Sequence, residues 1–320
     1  MNKKTLVILG IIAALAAAIV VQRTVHFSSV PAVKQWDGAA DELVIRKGTS
    51  PEVRIVKKDG TWFVGAQGYP AEESIVNSLL KKLDEFRLSD LVTKKEFYER
   101  FDLSDDRASR VTVKGNGKVL RDILVGKRSG AGDNAYVKFP DKKEVYLAGG
   151  SLSFELGKDA EGFRSHTLLK CPIESMESIS VKYKGQSYTL VRTVETVPAS
   201  SEKAKDAKKP ETVSADKWTL AGSTAGLDQD KVKNFAGEFG NIMAQSFVPD
   251  ADVKKKSGTP QCEITIKSGG RDLLIKVFGP EGKDGKDGYA LLSGENPWLA
   301  IVNKTKSESI MKALKDLQAK

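Results

Sequence analysis

The sequence predicts an α+β protein in which an N-terminal transmembrane helix precedes two similar modules, each an antiparallel sheet covered by a helix. Three observations lead to this prediction. Short runs of alternating apolar and polar residues are separated by turn residues, which indicates hairpins and antiparallel pairing. Each half of the chain carries one long run with an apolar stripe at helical spacing. The two halves also repeat the same order of features, which indicates an internal duplication.

The duplication is indicated by residues that match at a nearly constant offset. Trp62 and Trp218 are 156 residues apart, and the same offset places Leu79 on Phe235, Leu83 on Phe239, Phe86 on Ile242 and Leu91 on Phe247. After a three-residue length change the offset is 153, and it pairs Val111, Val113, Leu120, Leu124, Gly126 and Tyr136 with Ile264, Ile266, Leu273, Val277, Gly279 and Tyr289. A shared order of Trp, helix, paired strands, Gly and Tyr is not expected by chance.

The first residues predict a membrane anchor. Two lysines precede Thr5–Val21, which contains no charge and as a helix would span roughly 26 Å. A cleaved signal peptide is the alternative, because Ala16 and Ala18 form a small-x-small site. The apolar run continues past that site, which favours an uncleaved signal-anchor over residues 1–25. Positive charge before the segment predicts a cytoplasmic N-terminus. We therefore expect a single-pass protein of the cytoplasmic (inner) membrane whose bulk is extracytoplasmic (periplasmic).

Behind the anchor, residues 26–40 contain Pro31 and small residues and are interpreted as a spacer. The first module is expected over residues 41–170 and the second over residues 171–320. The second module carries an insertion at 194–214 that is rich in Pro, Ser, Ala, Thr, Lys and acidic residues. Such a composition cannot bury enough apolar surface to order itself, so a mobile loop is predicted.

In the first module the predicted helix covers Ala71–Arg87, after Pro70 and with Glu72 and Glu73 in the first turn, where the helix dipole favours anions. Turns at Lys58-Asp59-Gly60, Gly115-Asn116-Gly117 and Pro140-Asp141 predict hairpins. Ser151–Leu169 is expected to be helical in part. The predicted strands are Leu43–Arg46, Val53–Val56, Trp62–Val64, Arg110–Lys114, Val119–Val125, Ala135–Phe139 and Val145–Ala148.

In the second module a helix is expected near Asp228–Asn241, with Asp228 as its N-cap. A final short helix is expected from the spacing of Ile310, Leu314 and Leu317, with Ser307 as its cap. The predicted strands are Ser178–Tyr183, Ser187–Arg192, a strand at Trp218, Glu263–Lys267, Asp272–Phe278, Gly288–Leu292 and Trp298–Val302.

No pattern in the sequence selects a catalytic, cofactor-binding or metal-binding residue. His26 lies beside the predicted anchor and His166 in a polar turn, and neither has a partner pattern. The glycine-rich stretch Gly126–Gly132 joins two strands without a following helix N-terminus, so a hairpin loop is favoured over a phosphate site. Asp102, Asp105 and Asp106 lack the Gly and Glu of a calcium loop. Asp284, Gly285, Asp287 and Gly288 are likewise interpreted as a turn.

Neither the cysteines nor the net charge identifies a functional site. Cys171 and Cys262 could pair in an exported protein, but they are not equivalent in the two halves, so no shared framework requires a bridge. The net charge of +9 comes from lysines scattered along both halves, which argues against nucleic acid as a partner. Attraction to anionic lipid headgroups or acidic envelope polymers, or a merely solvated surface, are the remaining interpretations.

One set of residues resembles a known family. The set comprises Trp62, Tyr69-Pro70-Ala71, Leu79-Leu80, Leu83, Phe101-Asp102-Leu103, Val111-Thr112-Val113, Ile123–Gly126, Tyr136-Val137 and Val145-Tyr146-Leu147. Over about residues 43–170, and more loosely to the C-terminus, it resembles the bacterial domain-of-unknown-function family DUF4340. The resemblance implies a membrane-anchored, uncharacterised envelope protein, often found with ABC-transporter and gliding-type auxiliary components. These motifs are patterns of apolar and turn residues, so they transfer no catalytic residue.

The expected function is a non-enzymatic accessory or scaffold that needs no cofactor and binds protein partners of the cell envelope through exposed sheet edges. The resemblance adds an ABC-type transporter as a partner. The alternative is an envelope hydrolase or ligand-binding protein that uses carboxylates in a cleft between the modules.

Overall fold

The computed structural model describes residues 3–28, 30–130, 132–150, 152, 155–198, 212–282 and 286–319; for residues 3–7, 22–28, 195–198 and 212–215 it describes the backbone alone. The chain divides into two compact units, residues 1–165 and 166–320. Each unit is built on a large antiparallel sheet with a few helices, so the α+β class predicted from the sequence is confirmed.

Helix α1 (Lys3–Ser28) opens the first unit. Over the residues whose side chains are described, no helix combines the length and the apolar character needed to cross a membrane. The predicted anchor Thr5–Val21 begins outside those side chains, and His26 also lies outside them.

The first unit continues with a nine-stranded sheet in the order β4-β3-β2-β1-β6-β7-β8-β9-β5. Every neighbouring pair in it is antiparallel. Short 3-10 helices at Tyr98–Phe101 and Glu155–Gly157 lie in its connections. Its elements are β1 (Glu42–Lys47), β2 (Val53–Lys58), β3 (Thr61–Val64), β4 (Tyr69–Pro70), α2 (Glu73–Glu85), β5 (Leu88–Thr93), β6 (Ser109–Gly115), β7 (Lys118–Arg128), β8 (Ala135–Lys138), β9 (Val145–Ala148) and α3 (Ala160–Phe163).

The hairpin turns of this sheet form where the sequence predicts them. Asp59 and Gly60 both have positive φ, at 49° and 86°, and so do Asn116 and Gly117, at 51° and 75°. Two consecutive residues with positive φ match the right-handed twist of the strands that they connect. Local turn chemistry therefore sets the β2–β3 and β6–β7 registers.

Helix α2 covers one face of the sheet and buries Val76, Leu79 and Leu83. It is shorter than predicted at both ends. The N–H group of Ala71 donates to the carbonyl of Trp62 at 2.8 Å, so this residue continues the sheet edge rather than the helix. Phe86 is extended and buried, which ends the helix at Glu85.

The second unit contains an eight-stranded sheet in the order β13-β12-β11-β16-β17-β18-β19-β15 and a separate pair, β10-β14. In strand order it corresponds, one strand for one, to β3-β2-β1-β6-β7-β8-β9-β5 of the first unit. Its elements are β10 (Thr167–Leu169), β11 (Met176–Tyr183), β12 (Gln186–Pro198), β13 (Thr212–Leu220), α4 (Gln229–Gly237), β14 (Ile242–Met243), β15 (Ser246–Phe247), α5 (Asp250–Lys256), β16 (Cys262–Ser268), β17 (Arg271–Glu281), β18 (Gly288–Ser293), β19 (Ala300–Val302) and α6 (Lys304–Ile310), with 3-10 helices at Ile173–Ser175 and Leu314–Asp316.

The insertion predicted as a mobile loop at 194–214 is strand at both ends. Val194 pairs with Asp216, and Val197 pairs with Val213 in the β12–β13 ladder. The prediction failed there because backbone pairing within a hairpin needs no apolar side chain. Residues 199–211 lie outside the described part of the chain.

The C-terminal helix begins earlier than predicted. Asn303 caps α6, its side chain accepting a hydrogen bond from the N–H of Lys306 at 2.9 Å. Ser307 is therefore not the cap; it lies fully buried inside the helix, and its hydroxyl donates to the carbonyl of Val302 at 3.2 Å. The apolar spacing that suggested one helix through Leu314 is divided between α6 and the following 3-10 helix.

Candidate functional site

The histidine with a described side chain has a structural environment. Nδ1 of His166 lies 3.0 Å from the carbonyl of Ala244, and its ring packs edge-on against Phe247 with centroids 5.4 Å apart. Both contacts hold β10 to the neighbouring segment of the second unit. This geometry gives the imidazole a packing role.

Cys171 and Cys262 are buried free thiols. Burial raises the pKa of the Cys262 thiol to about 12. Because the thiolate is the reactive form, this side chain is inert at neutral pH.

Two of the three aspartates considered for a calcium loop, Asp102 and Asp106, form ion pairs with Arg107. Asp102 lies 3.3 Å from Arg107, and Asp106 accepts a hydrogen bond from the Ser104 hydroxyl at 2.6 Å. Within the described residues no group of three His, Cys, Asp or Glu side chains is arranged to hold a metal ion. Residues 284 and 285 of the second acidic turn lie outside the described chain.

The glycine-rich stretch after Leu124 is a packing feature. Gly126 lies within β7, and a Cβ atom there would stand 2.0 Å from the carbonyl oxygen of Phe101. The N–H of Ser129 bonds to the carbonyl of Asn134 and narrows the turn that leads into β8. The first glycine is thus required by a close backbone approach.

Four described carboxylates have clearly shifted pKa values, and each pKa is lowered. Hydrogen bonds from Lys143, from Ser104 and from the backbone N–H of Lys231 lower the pKa of Glu96, Asp106 and Asp228. Burial acts to raise the pKa of Glu238, but hydrogen bonds from Lys306 and Ser309 lower it overall. A general acid at neutral pH needs a raised pKa, so these four carboxylates are adapted to ion pairing.

The outer edge of the first sheet is covered. Beyond β3 lies β4, which pairs Phe63 with Pro70 and Val64 with Tyr69. Beyond β4, the N–H of Ser165 donates to the carbonyl of Pro70 at 2.7 Å. The backbone groups at this edge are therefore satisfied within the unit.

The corresponding edge of the second sheet is formed by β13, and a side chain takes the place of the covering strand. The Gln229 carboxamide accepts a hydrogen bond from the N–H of Trp218 at 2.8 Å and donates to the carbonyl of Trp218 at 2.9 Å. Both backbone groups of Trp218 thus point outward from the sheet. Since inward and outward groups alternate along an antiparallel strand, those of Asp216 point outward as well.

The edge strand is anchored at the same point by a partly buried arginine. One terminal nitrogen of Arg192 on β12 lies 2.7 Å from the Asp216 carboxylate, and the other donates to the carbonyl of Glu174 at 2.7 Å. These bonds tie the β12–β13 hairpin to the start of β11. We call residues 212–216 of β13 the open edge.

The predicted spacer of the first unit is packed rather than free. The N–H of Trp36 donates to Asp84 at 2.9 Å. The Arg121 guanidinium lies 5.4 Å from the ring centroids of both Trp36 and Phe86, and it donates to the carbonyl of Lys34 at 2.7 Å. We call residues 30–40 the docked lead.

The sequence did not single out Gln229, although it contains a signal. In the first unit Tyr69-Pro70-Ala71 follows Trp62 and closes the edge, and among the described residues no comparable strand follows Trp218. An edge strand that lacks its cover requires some substitute, because unpaired edges invite association.

A comparison with protein families finds one match. The family described as Domain of unknown function (DUF4340) matches residues 62–261, from Trp62 on β3 to the residue before β16. No curated protein and no solved structure matches the chain. Because the match covers more than half of the 320 residues, the chain belongs to the DUF4340 family, as the resemblance of its apolar and turn motifs predicted.

Proposed function

We propose that this protein is a non-enzymatic, membrane-anchored accessory or scaffold of the cell envelope, and that its second unit binds a partner protein along the open edge. The observation that carries the proposal is the missing cover of β13. The first unit closes the same edge with β4, whereas in the second unit no strand among the described residues covers the outward groups of Asp216.

Strand addition suits such an edge. A partner segment would pair with the outward backbone groups from Thr212 to Asp216, and side chains of the partner would supply the specificity. The Arg192–Asp216 ion pair favours this, because it links the edge strand to β12 in the absence of a partner. Preorganisation of this kind reduces the ordering cost of binding.

We infer further that the two units arose by internal duplication. Support comes from the shared strand order and from the tryptophans at the equivalent edge strands, Trp62 on β3 and Trp218 on β13. Both are buried, and both leave the indole Nε1 without a hydrogen-bond partner. A buried unsatisfied N–H costs roughly 1–3 kcal/mol, so its presence at both positions favours a common origin over independent selection.

The membrane and partner components of the proposal rest on the sequence. The uncharged run Thr5–Val21 behind two lysines supports a single-pass anchor, with the rest of the chain outside the cytoplasm. The family resemblance supports an ABC-type transporter as the partner.

The test uses full-length protein in its native membrane with a photo-crosslinking residue at Lys217, beside the open edge, and compares two changes of Asp216. Asp216→Pro removes an outward N–H and leaves the inward ladder intact, which edge strands tolerate. Asp216→Asn retains that N–H and removes the charge. A crosslinker at Lys267 on the central strand β16 serves as the positional control.

We expect one specific protein adduct from position 217, which is lost in Asp216→Pro and retained in Asp216→Asn. An adduct that survives Asp216→Pro would exclude strand addition at this edge. Crosslinks to lipid and to itself alone, together with turnover of an envelope substrate, would favour the hydrolase alternative and refute the scaffold.

A further inference from the structure

The end of the first sheet beside α1 concentrates positive charge. The helix lies against β5, and Pro31, shortly after its last residue, lines a shallow depression with three lysines, Lys94, Lys142 and Lys143, and two acidic residues, Asp141 and Glu144. A second depression next to it is lined by Lys34 and again by Lys142. The chain therefore leaves α1 among the lysines that follow β5 and those of the β8–β9 turn.

We call Lys34, Lys94, Lys95, Lys142 and Lys143 the basic corner. Lys143 forms an ion pair with Glu96 at 2.6 Å. In the described part of the chain, no acidic side chain lies within ion-pair distance of the other four lysines. Lys95, Lys142 and the neighbouring Lys138 instead place their ammonium groups 6.0, 5.6 and 5.0 Å from the ring centroids of Phe97, Phe139 and Tyr98.

Apolar side chains are exposed at the same end of the sheet. Phe97 is 50% exposed and Val119, at the start of β7, is 60% exposed. Unpaired lysines next to an exposed aromatic ring match the composition of the interfacial region of a bilayer, where the ring enters the headgroup layer and the ammonium groups remain in water.

At the opposite end of the same sheet, two arginines have acidic partners. There Arg107 pairs with Asp102 at 3.3 Å and Arg128 pairs with Asp133. Lys47 and Lys127 at that end have no acidic partner among the described residues, but they lie on the separate strands β1 and β7, whereas Lys94, Lys142 and Lys143 line one depression.

We propose that the basic corner binds the surface of an anionic phospholipid bilayer, with Phe97 inserted at headgroup depth. The inference rests on the proposed membrane anchor, which brings this end of the first unit to the bilayer. Clustered lysines that lack acidic partners are attracted to anionic headgroups within about a Debye length, roughly 8–10 Å at moderate salt.

The full-length protein is reconstituted into vesicles of phosphatidylcholine alone or of phosphatidylcholine with phosphatidylglycerol. A fluorescent reporter at Val119→Cys is quenched by lipids that carry a headgroup nitroxide, and Asp105→Cys provides a reporter at the opposite end. The native cysteines are buried, so the introduced thiol takes the label. We expect the residue-119 reporter to be quenched about twofold more in anionic vesicles, and high salt to remove the difference.

Two double variants complete the design. Lys94→Glu with Lys142→Glu is expected to lower the quenching to the level of neutral vesicles. Lys47→Glu with Lys127→Glu makes the same charge change on β1 and β7, at the end of the sheet away from the basic corner. This control variant is expected to leave the quenching unchanged. Equal losses of quenching in both double variants, or no loss of quenching in Lys94→Glu with Lys142→Glu, would refute a localised lipid site.

The experiment distinguishes refutation of the proposed membrane anchor from refutation of lipid binding by the basic corner. Release of the chain from vesicles by alkaline extraction would refute the anchor. Retention of the chain with no dependence on anionic lipid would refute the lipid inference alone. A residue-119 reporter that is shielded from solvent in native membranes, but is not quenched in vesicles that contain no other protein, would indicate that the basic corner binds a protein partner instead.

Discussion

Replacement of Gln229 by Ala tests the edge geometry most directly. The change removes both hydrogen bonds between the carboxamide and the backbone of Trp218. At about 0.5–1.5 kcal/mol net for each, the pair contributes about 1–3 kcal/mol. The lower end applies, because Trp218 lies on an edge strand where water can replace the lost partner. We therefore expect local opening of β13 to become easier by about 1 kcal/mol.

The assay is amide hydrogen exchange at Trp218, measured by mass spectrometry on peptides that cover β13. A loss of about 1 kcal/mol corresponds to exchange roughly five times faster. In Gln229→Glu the exchange rate of the Trp218 amide is expected to lie between those of Gln229→Ala and the wild type. A carboxylate still accepts a hydrogen bond from the N–H of Trp218 but cannot donate one to its carbonyl. Asn234→Ala removes an exposed amide from the same helix and serves as the matched control. An unchanged Trp218 exchange rate in Gln229→Ala would refute the covering role of Gln229.

Three further predictions follow from packing and charge. Leu83→Ala and Phe239→Ala, both fully buried, should each cost roughly 2–5 kcal/mol of unfolding free energy; an unchanged denaturation midpoint would contradict their burial. Arg121→Ala should release the docked lead and accelerate proteolysis within residues 30–40 at least several-fold, while Arg110→Ala, on the exposed sheet face, should not. The pKa of Glu238 is lowered in the folded state, so its pairing with Lys306 stabilises the fold at neutral pH, and this stabilisation is lost as the pH falls through that pKa. Glu238→Gln should thus lower the urea midpoint at pH 7 but not in acid.

Features that depend on neighbouring residues were readable from the sequence. Asp59-Gly60 and Asn116-Gly117 favour a turn because few residues other than Gly, Asn and Asp tolerate positive φ. Val76, Leu79 and Leu83 recur at helical spacing and so identify the buried face of α2. In each case the physical cause lies within one turn of the residue concerned.

Features that depend on distant partners were not readable. Strand β5 is half-buried along its length without clear alternation, and its pairing with β9 joins residues more than fifty positions apart. Helix α5 buries no side chain, and only acids in its first turn and lysines in its last mark it. Gln229 acts through a strand that ends nine residues earlier, so its role exists only in the folded unit.

The docked lead has a mechanical consequence. Eleven residues of extended chain could separate a module from its helix by roughly 36 Å, enough for the module to sample a wide volume. The contacts of Trp36 with Asp84 and of Arg121 with Lys34 remove that slack. A force applied to the first unit would therefore be transmitted to α1 directly, without first extending a flexible linker.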